Sequence, residues 1–566
     1  MECFVLMLIF RRLRHLTILI ALGLSPAIAS ADGQLIIHNA RIFTGDSRQP
    51  EAQALVVTDD KIAFVGSSAG ALSRRSSATR IIDAAGRRVI PGLVDAHAHS
   101  GPDIRGRQVR PPAGSKASPE QLLEEIARLA PQGNDWLLAT VGDQVTSDAR
   151  DWRASLDQAA PNRPVMLHAW WGHGTYLNSQ ALTALGIQEH QKDPFDGWFG
   201  RRDDGTLNGM LREGPELVLL RQLIDDGDAV SASAAFEADA RRYLAWGVTT
   251  VHQLSHNLSA DSALAALSRE PSGLRWRLYA WGTRELLQPS ARLADPAIAQ
   301  ALPARVRVAG VKWALDGTPM ERDAHVRAAY ADRPNWFGRS NFSDADLKAL
   351  LERGLEREEQ LAFHVVGDRE IERLLTTMET LGSAHLWKRH RVRIEHGDGL
   401  MPDLFARARR LGVVLVQNPL HLAPMTTASS GDVMTERYGE LAKQFQNLRA
   451  TISAGIPLAL GSDASGSASN PFLNMMLAVT YERHPKQALS REQALIAYTQ
   501  GGAFAEHAEK AQGKLIRGYA ADLAILSQDP LTAPIEDLPK TRSVLTVVRG
   551  KVVFDELEKN ALSLQH

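Results

Sequence analysis

Two histidines separated by one residue follow a run of apolar residues near the start of the chain. The segment RRVIPGLVDAHAHS covers 87–100 and contains His97 and His99. In an extended strand, alternate side chains point to the same side, so both imidazoles face one way. Two imidazoles at the end of a buried strand are unfavourable unless they bind something, and imidazole is a common metal ligand. The pair therefore predicts a metal site.

Four further polar residues stand at the ends of later apolar runs. They are Lys312 in VAGVKWALDG, His364 in LAFHVVGD, His396 in VRIEHGDG and Asp463 in LALGSDASG. Each has a structural alternative when taken alone: a hydrogen-bonded core histidine, a solvated lysine, or an aspartate that caps a helix. Taken together at corresponding strand ends, the set predicts one coordination sphere, or two that share a ligand.

The segments that must position these residues alternate between short apolar runs and stretches with helical spacing. Eight runs predict the strands of a closed parallel (β/α)8 TIM-type barrel, an α/β fold over 90–509 that keeps its site at the C-terminal strand ends. The predicted strands are 90–96, 248–253, 274–281, 305–312, 360–366, 391–396, 413–418 and 456–462.

Two other regions have their own patterns. Residues from about 100 to 245 contain further strand and helix signals, which predict an α/β insertion after the first barrel strand, placed over the barrel mouth. Residues 32–89 and 510–566 alternate apolar and polar residues between turn signals. We predict that these two ends form one small β-sandwich domain.

Several motifs carry a resemblance to a known family. PGLVDAHAH, VKWALDGT, HVVGD, RIEHGDG and GSDAS resemble the motifs of the metal-dependent amidohydrolase superfamily. The blocks GHGTYLNSQAL and GTLNGMLREG resemble its branch that includes N-substituted formamide deformylase. The resemblance extends over roughly 34–560.

The resemblance implies a binuclear metal site. His97, His99 and Asp463 would bind a first divalent ion, and His364 and His396 would bind a second. Nitrogen and oxygen ligands without sulfur suit Zn²⁺, although other first-row ions remain alternatives. The expected cofactor is therefore one or two divalent ions.

The resemblance also implies that Lys312 is carbamylated and bridges the two ions. An ammonium group has three donors and no lone pair, so only the CO2-derived carbamate can be a ligand. If Lys312 is unmodified, we expect the site to hold one ion instead.

The mechanism follows from the implied ligands. A divalent metal lowers the pKa of a bound water to about 7, which supplies hydroxide to attack a carbonyl. Asp463 would accept the water proton and return it to the leaving nitrogen. His173 in WWGHGTYLNS is the candidate donor to the oxyanion, with a structural hydrogen bond as the alternative. Further candidates to contact the substrate or orient the ligands are Glu213, His252, Asp316 and His421.

The predicted activity is hydrolysis of a C–N bond in a small molecule, most simply a linear amide such as an N-substituted formamide or a related acyl-amine. The same ligands also serve hydrolases of cyclic amides or imides, deaminases and esterases. A non-catalytic scaffold is a remote alternative, because all six ligand positions are filled.

The amino-acid composition indicates which classes of binding partner to expect. The 566 residues have a formal net charge of −1, with 44% hydrophobic and 23% charged residues. This balance gives no electrostatic reason to expect nucleic acid or an anionic membrane. The single cysteine, Cys3, lies in the predicted leader, so the mature chain has no disulfide. Dimers are common among similar proteins, so a homodimer is expected.

The N-terminus has the features of a signal peptide over 1–31. Three arginines, at 11, 12 and 14, precede an apolar run at 16–24, and Ala29 and Ala31 are small residues at the predicted cleavage site. An uncleaved anchor is the alternative, but the run is short for a membrane span. We expect a secreted or periplasmic protein without a stable membrane span after cleavage.

Overall fold

The structure is a computed structural model that describes residues 33–224, 228–288, 290–425 and 431–557. The predicted signal peptide lies outside the described residues. Within the described ranges, none of the helices is both long enough and apolar enough to cross a membrane.

Eight parallel strands form the predicted barrel, with each strand beside its neighbour in chain order. Barrel strands one to eight are, in turn, Leu93–Ala98, Val248–Ser255, Arg275–Trp281, Val306–Ala314, Gln360–Val365, Arg393–His396, Val414–Gln417 and Leu458–Leu460. The barrel closes just beyond strand eight, where Asp463 N donates to His97 O at 2.7 Å and His99 N donates to Ala464 O at 3.3 Å. The eight runs predicted from the sequence correspond to these strands, which confirms the fold class.

Helices connect the barrel strands and follow the last one. They bury apolar residues that recur at helical spacing: Leu347 and Leu351 share one core with Val311 and Phe363 of the barrel strands. This burial stabilises the barrel by about 25 cal/mol for each Å² of apolar surface removed from water. The helices are Ala229–Ala245, Ala260–Arg269, Pro296–Gln300, Asp344–Arg357, Asp368–Leu381, Ala384–His390, Phe405–Leu411, Val433–Tyr438, Leu448–Ser453, Pro471–Thr480, Arg491–Ile496 and Gly502–Ala505.

Strands from both ends of the chain form two further sheets. One sheet contains Leu35–His38, Ala54–Thr58, Lys61–Gly66 and Arg80–Asp83. The other contains Arg41–Phe43, Glu51–Ala52, Arg88–Pro91, Leu523–Leu526, Ser543–Val548 and Lys551–Asp555. Apolar side chains of both sheets pack into one cluster that includes Ile37, Leu55, Ile525 and Val547. Helix Ser68–Leu72 packs beside the first sheet.

The part of the chain that connects barrel strands one and two forms a third additional sheet. Its six strands are Arg107–Gln108, Leu137–Val141, Val165–Ala169, Thr175–Leu177, Gly197–Arg201 and Leu207–Glu213. The helices of this region are Pro119–Leu129, Asp143–Thr146, Trp152–Ala159, Ser179–Ala184 and Gly214–Ile224. The region has an apolar core of its own, which includes Ile126, Leu137 and Trp152.

The last helix of the predicted insertion belongs to the barrel instead. Phe236, Tyr243 and Leu244 of helix Ala229–Ala245 are buried in the barrel core. The sequence places this helix before barrel strand two, and its apolar face needs a sheet to cover it. The separately packed part of the insertion therefore ends before residue 229.

Candidate metal centre

Three side chains converge at the closure of the barrel. His97 lies in strand one, His99 follows that strand, and Asp463 follows strand eight. His97 Nε2 and His99 Nε2 are 3.3 Å apart. They lie 3.2 Å and 2.9 Å from Asp463 Oδ1, respectively. These atoms form one of two groups in the described residues that are spaced to hold a metal ion.

The opposite nitrogens of both rings are held by acceptors. His99 Nδ1 lies 2.8 Å from the carbonyl oxygen of Leu254, so Nδ1 carries the proton. His97 Nδ1 lies 2.6 Å from Glu395 Oε2. Burial opposes ionisation of Glu395, but Arg393, together with His97 and Lys312, more than offsets this and lowers the pKa of Glu395 to about 2. Glu395 therefore stays ionised and accepts a hydrogen bond from His97 Nδ1.

Both Nε2 atoms are left as lone-pair acceptors that face a third acceptor, Asp463 Oδ1. Three acceptors within 3.3 Å of one another repel unless a proton or a cation lies between them. Two neutral imidazoles and a carboxylate are a ligand set that Zn²⁺ accepts. The residues present therefore fit a divalent metal ion.

A second group of ligand atoms lies on the other side of Asp463. His421 Nε2 is 3.2 Å from Asp463 Oδ2, and His396 Nδ1 is 3.7 Å from it. The ring of His364 lies 4.4 Å from that of His396, between centroids. His396 Nδ1 is also 2.8 Å from Asn418 Oδ1, whose amide nitrogen donates to Gly461 O. Asp463 thus faces histidines through both of its oxygens.

Lys312 is buried near the end of barrel strand four. Burial lowers the pKa of its ammonium group to about 8, although the carboxylates of Glu395 and Asp463 act in the opposite direction. The lysine therefore shares the electrostatic environment of the histidine and aspartate cluster.

The insertion contributes His173 to the same cluster of histidine and aspartate side chains. This residue lies in the turn between strands Val165–Ala169 and Thr175–Leu177, and its ring centroid is 4.6 Å from that of His364. Its Nδ1 is 2.7 Å from Glu213 Oε1. Burial works against protonation, but the Glu213 carboxylate overcomes it, so the pKa of His173 rises to about 9. The insertion thus covers the barrel mouth with a hydrogen-bond donor.

The comparison with known families agrees with this geometry. The model of the amidohydrolase family matches residues 80–554. The chain belongs to the amidohydrolase family. It is therefore a metal-dependent hydrolase that acts on C–N bonds.

Similar proteins cover nearly the whole of this amidohydrolase. The protein LONG AFTER FAR-RED 3 of Arabidopsis thaliana is 27% identical over 573 residues, which cover 94% of this chain and 92% of that protein. N-substituted formamide deformylase of Arthrobacter pascens is 25% identical over 558 residues, covering 92% of this chain and 98% of that enzyme.

A crystal structure of an uncharacterized metal-dependent hydrolase from Pyrococcus furiosus has the same fold. It superposes with a TM-score of 0.63 at 24% identity and covers 88% of this chain and 100% of that one.

The amidohydrolase site contains three non-glycine residues with left-handed backbone. The φ angles are 59° at Glu213, 66° at His396 and 53° at Asp463. Such conformations cost about 1–3 kcal/mol each and persist where the surrounding structure enforces them. Each residue stands at or just beyond a strand end, where the chain must turn while the side chain points at the centre.

The sequence suggested that His252 lies at the end of barrel strand two, but it does not. Strand two continues to Ser255, and His252 is buried in the barrel interior with its Nδ1 3.0 Å from Arg393 Nη1. The residue at the strand end is His256, whose Nδ1 is 2.9 Å from His99 Nδ1. Sequence reasoning missed His256, although the segment VHQLSH contains both histidines.

Asp316 binds backbone groups and anchors a loop. Its Oδ1 accepts from Val366 N at 2.9 Å, and its Oδ2 accepts from Gly367 N at 2.8 Å and His325 N at 2.9 Å. These contacts tie the loop after barrel strand four to the segment that directly follows His364. Asp316 therefore fixes the segment that follows His364, and its oxygens are already used by backbone donors.

Proposed function

We propose that this amidohydrolase is an exported enzyme that hydrolyses a linear amide, an N-substituted formamide or a related acyl-amine. One observation carries the hydrolytic part of the proposal: Nε2 of His97, Nε2 of His99 and Oδ1 of Asp463 lie within 3.3 Å of one another. The substrate class draws support from the 25% identical N-substituted formamide deformylase.

The cofactor we propose is one or two divalent ions, with Zn²⁺ favoured because every donor is nitrogen or oxygen. A bound ion would polarise the substrate carbonyl and lower the pKa of a water molecule to about 7. His97, His99 and Asp463 would hold the first ion. His364 and His396 would hold the second.

We propose that Lys312 carries a carbamate. The neutral amine attacks CO2, a C–N bond forms, and one proton is released, which leaves a carboxylate that can be a ligand. The buried position of Lys312 in strand four supports this, because burial lowers the pKa of its ammonium group to about 8 and so favours the neutral amine.

The remaining steps belong to side chains of the protein. Asp463 takes the proton from the attacking water and delivers it to the leaving nitrogen. His173 donates a hydrogen bond to the carbonyl oxygen as negative charge develops there, while Glu213 holds the ring in place. Asp463 and His173 both lie close to the histidine cluster, which supports the functions we assign to them.

A substrate panel with metal analysis tests the function. We expect the purified protein to contain one or two zinc ions per chain and to release the amine from N-substituted formamides or acyl-amines. Turnover restricted to cyclic amides or imides, to aminated rings or to esters would overturn the linear-amide proposal. A protein that binds no metal and hydrolyses none of these would be the non-catalytic alternative.

Export and assembly are tested separately. The basic and apolar N-terminal segments and the small residues Ala29 and Ala31 support cleavage after one of these alanines. N-terminal sequencing of the mature protein is expected to begin at Asp32 or Ser30, and a retained Met1 would contradict export. Light scattering is expected to give a homodimer, and a monomer would contradict that expectation.

A further inference from the structure

The turn at 170–174 carries His173 between two flexible positions. Gly172 and Gly174 flank it with φ angles of 83° and 127°, in the left-handed region that glycine adopts without strain. A turn of this kind has little steric restraint of its own. The 4.6 Å separation between the rings of His173 and His364 must therefore be set by contacts from outside the turn.

The guanidinium of Arg212 lies directly behind this turn. Arg212 is buried in strand Leu207–Glu213, and its Nη1 donates to the carbonyl oxygen of His173 at 2.9 Å. A Cβ built on Gly174 would come within 1.5 Å of the same Nη1, so the guanidinium fills the space that a side chain there would need. Among the described residues, the buried Nε of Arg212 has no hydrogen-bond partner.

A barrel loop holds the turn from the other side. Asp323 Oδ2 lies 3.6 Å from Arg212 Nε, and Trp171 Nε1 donates to Glu321 Oε2 at 2.9 Å. Both acids belong to the loop at 315–343, which follows barrel strand four. The same loop contains Asp316, which accepts hydrogen bonds from Val366 N and Gly367 N, shortly after His364. One loop therefore connects the turn that carries His173 with the segment that carries His364.

We propose that Arg212 is a positioning residue: its bridge between Asp323 and the carbonyl of His173 fixes the His173 imidazole above His364. This inference deepens the proposed function and rests on it, because His173 is the donor to the substrate carbonyl there. A buried arginine suits the task because its planar guanidinium presents several donors in fixed directions. A lysine at 212 would offer a single point charge on a flexible stem.

Replacement of Arg212 tests the inference. Arg212→Met keeps much of the side-chain volume and removes the guanidinium. We expect kcat to fall about 10–100-fold with KM nearly unchanged, because a donor used in the transition state is misplaced. Metal content should remain that of the wild type, since His97, His99 and Asp463 are untouched. Arg201→Met, in the neighbouring strand and at the surface, is the matched control and should leave kcat unchanged.

A double-mutant cycle separates positioning from a merely structural effect. In a His173→Ala background, Arg212→Met should lower kcat no further, because both changes remove the same interaction. An additive loss would overturn the inference. The cycle uses whichever panel substrate the wild type hydrolyses, so an error in the proposed substrate class does not affect its outcome.

Two further measurements cover poor folding or absent turnover. If Arg212→Met does not fold, Asp323→Asn removes the other side of the bridge and should lower kcat in the same direction. A crystal structure of either variant provides a readout independent of activity. We expect the His173 and His364 rings to move apart from 4.6 Å, and an unchanged separation would overturn the inference.

Discussion

His97 and Glu395 form a fully buried hydrogen bond of 2.6 Å between Nδ1 and Oε2. Arg393 donates to both oxygens of the same carboxylate, at 2.7 Å to Oε1 and 3.1 Å to Oε2. The carboxylate therefore stays ionised and fixes both the tautomer and the direction of the His97 ring. A histidine ring held in this way would need no reorientation to bind a metal ion.

We expect Glu395→Gln to lower metal affinity by about 10–100-fold, because the neutral amide no longer fixes the His97 proton on Nδ1. The change also leaves Arg393 buried without its counter-charge, which should reduce the free energy of unfolding by about 3–5 kcal/mol. Competition with a chromogenic chelator measures the affinity, and urea denaturation measures the stability. The control Glu356→Gln changes an exposed glutamate and should alter neither quantity. Wild-type metal affinity in Glu395→Gln would refute the function assigned to this hydrogen bond.

Asp463→Asn should retain much of the bound metal and lose turnover. An amide oxygen still faces His97 and His99, but asparagine cannot accept the water proton. The expected fall in kcat is about 10²–10⁴-fold. Metal content is measured by mass spectrometry on the same sample as the kinetics. Near-normal turnover would rule out Asp463 as the proton shuttle.

Lys312→Ala tests the proposed carbamate bridge between two ions. If Lys312 carries a carbamate that bridges two ions, the wild type should hold two ions per chain and the variant one, because the variant lacks the carbamate oxygens. Short carboxylic acids such as acetate or propionate should partly restore activity by occupying the vacated space. Lys348→Ala, at an exposed lysine in helix Asp344–Arg357, is the control. Two ions retained in Lys312→Ala would count against a bridging carbamate.

Metal removal should lower both activity and thermal stability. A ligand that binds only the folded state at 100 times its Kd stabilises that state by about 2.7 kcal/mol. We therefore expect a chelator to lower Tm and added Zn²⁺ to raise it again in a concentration-dependent way. His97→Ala should lack most of this Zn²⁺-dependent shift, since it removes a ligand of the first ion. An equal shift in that variant would place the stabilising ion elsewhere.

Arg88 links the two ends of the chain in the β-sheet region. Its buried guanidinium binds Asp529 Oδ2 at 2.8 Å and Glu51 Oε1 at 2.9 Å. Arg88→Met should reduce the free energy of unfolding by about 1–3 kcal/mol. The loss is limited to this range because Asp529 keeps Arg41 as a second partner. Urea denaturation at neutral pH measures the loss, and Arg48→Met, which removes an exposed pair with Asp46, should have little effect.

The ion pair between Arg88 and Asp529 predicts that the free energy of unfolding depends on pH. Burial raises the pKa of Asp529, but Arg88, together with Leu531 N and Arg41, more than offsets this and holds the pKa below its ordinary value. The stabilisation is therefore complete above the unfolded-state pKa of about 3.9 and is lost as the pH falls through the folded-state pKa. The stability difference between wild type and Arg88→Met should shrink in strongly acidic solution. A difference that stayed constant would contradict the ion pair as its source.

The barrel could be predicted from the sequence because its signals are local. Each strand is a short apolar run between turn or helix signals, and the order of strands in the sheet follows the order in the chain. Strand lengths were less predictable. His252 and His256 lie four residues apart in one segment, and only the pairing of strand two with Arg275–Trp281 as far as Ser255 decides which of them reaches the mouth.

The sequence by itself determined which side chains can act as ligands, because the chemistry of His97, His99 and Asp463 is intrinsic to the residue types. Only the tertiary structure decided what each one faces. Glu395 meets His97 across 298 positions, and Arg212 meets the turn of His173 across 39. Such contacts join separate elements, and burial in a common core makes them strong. No local pattern in either segment records the partner that packing supplies.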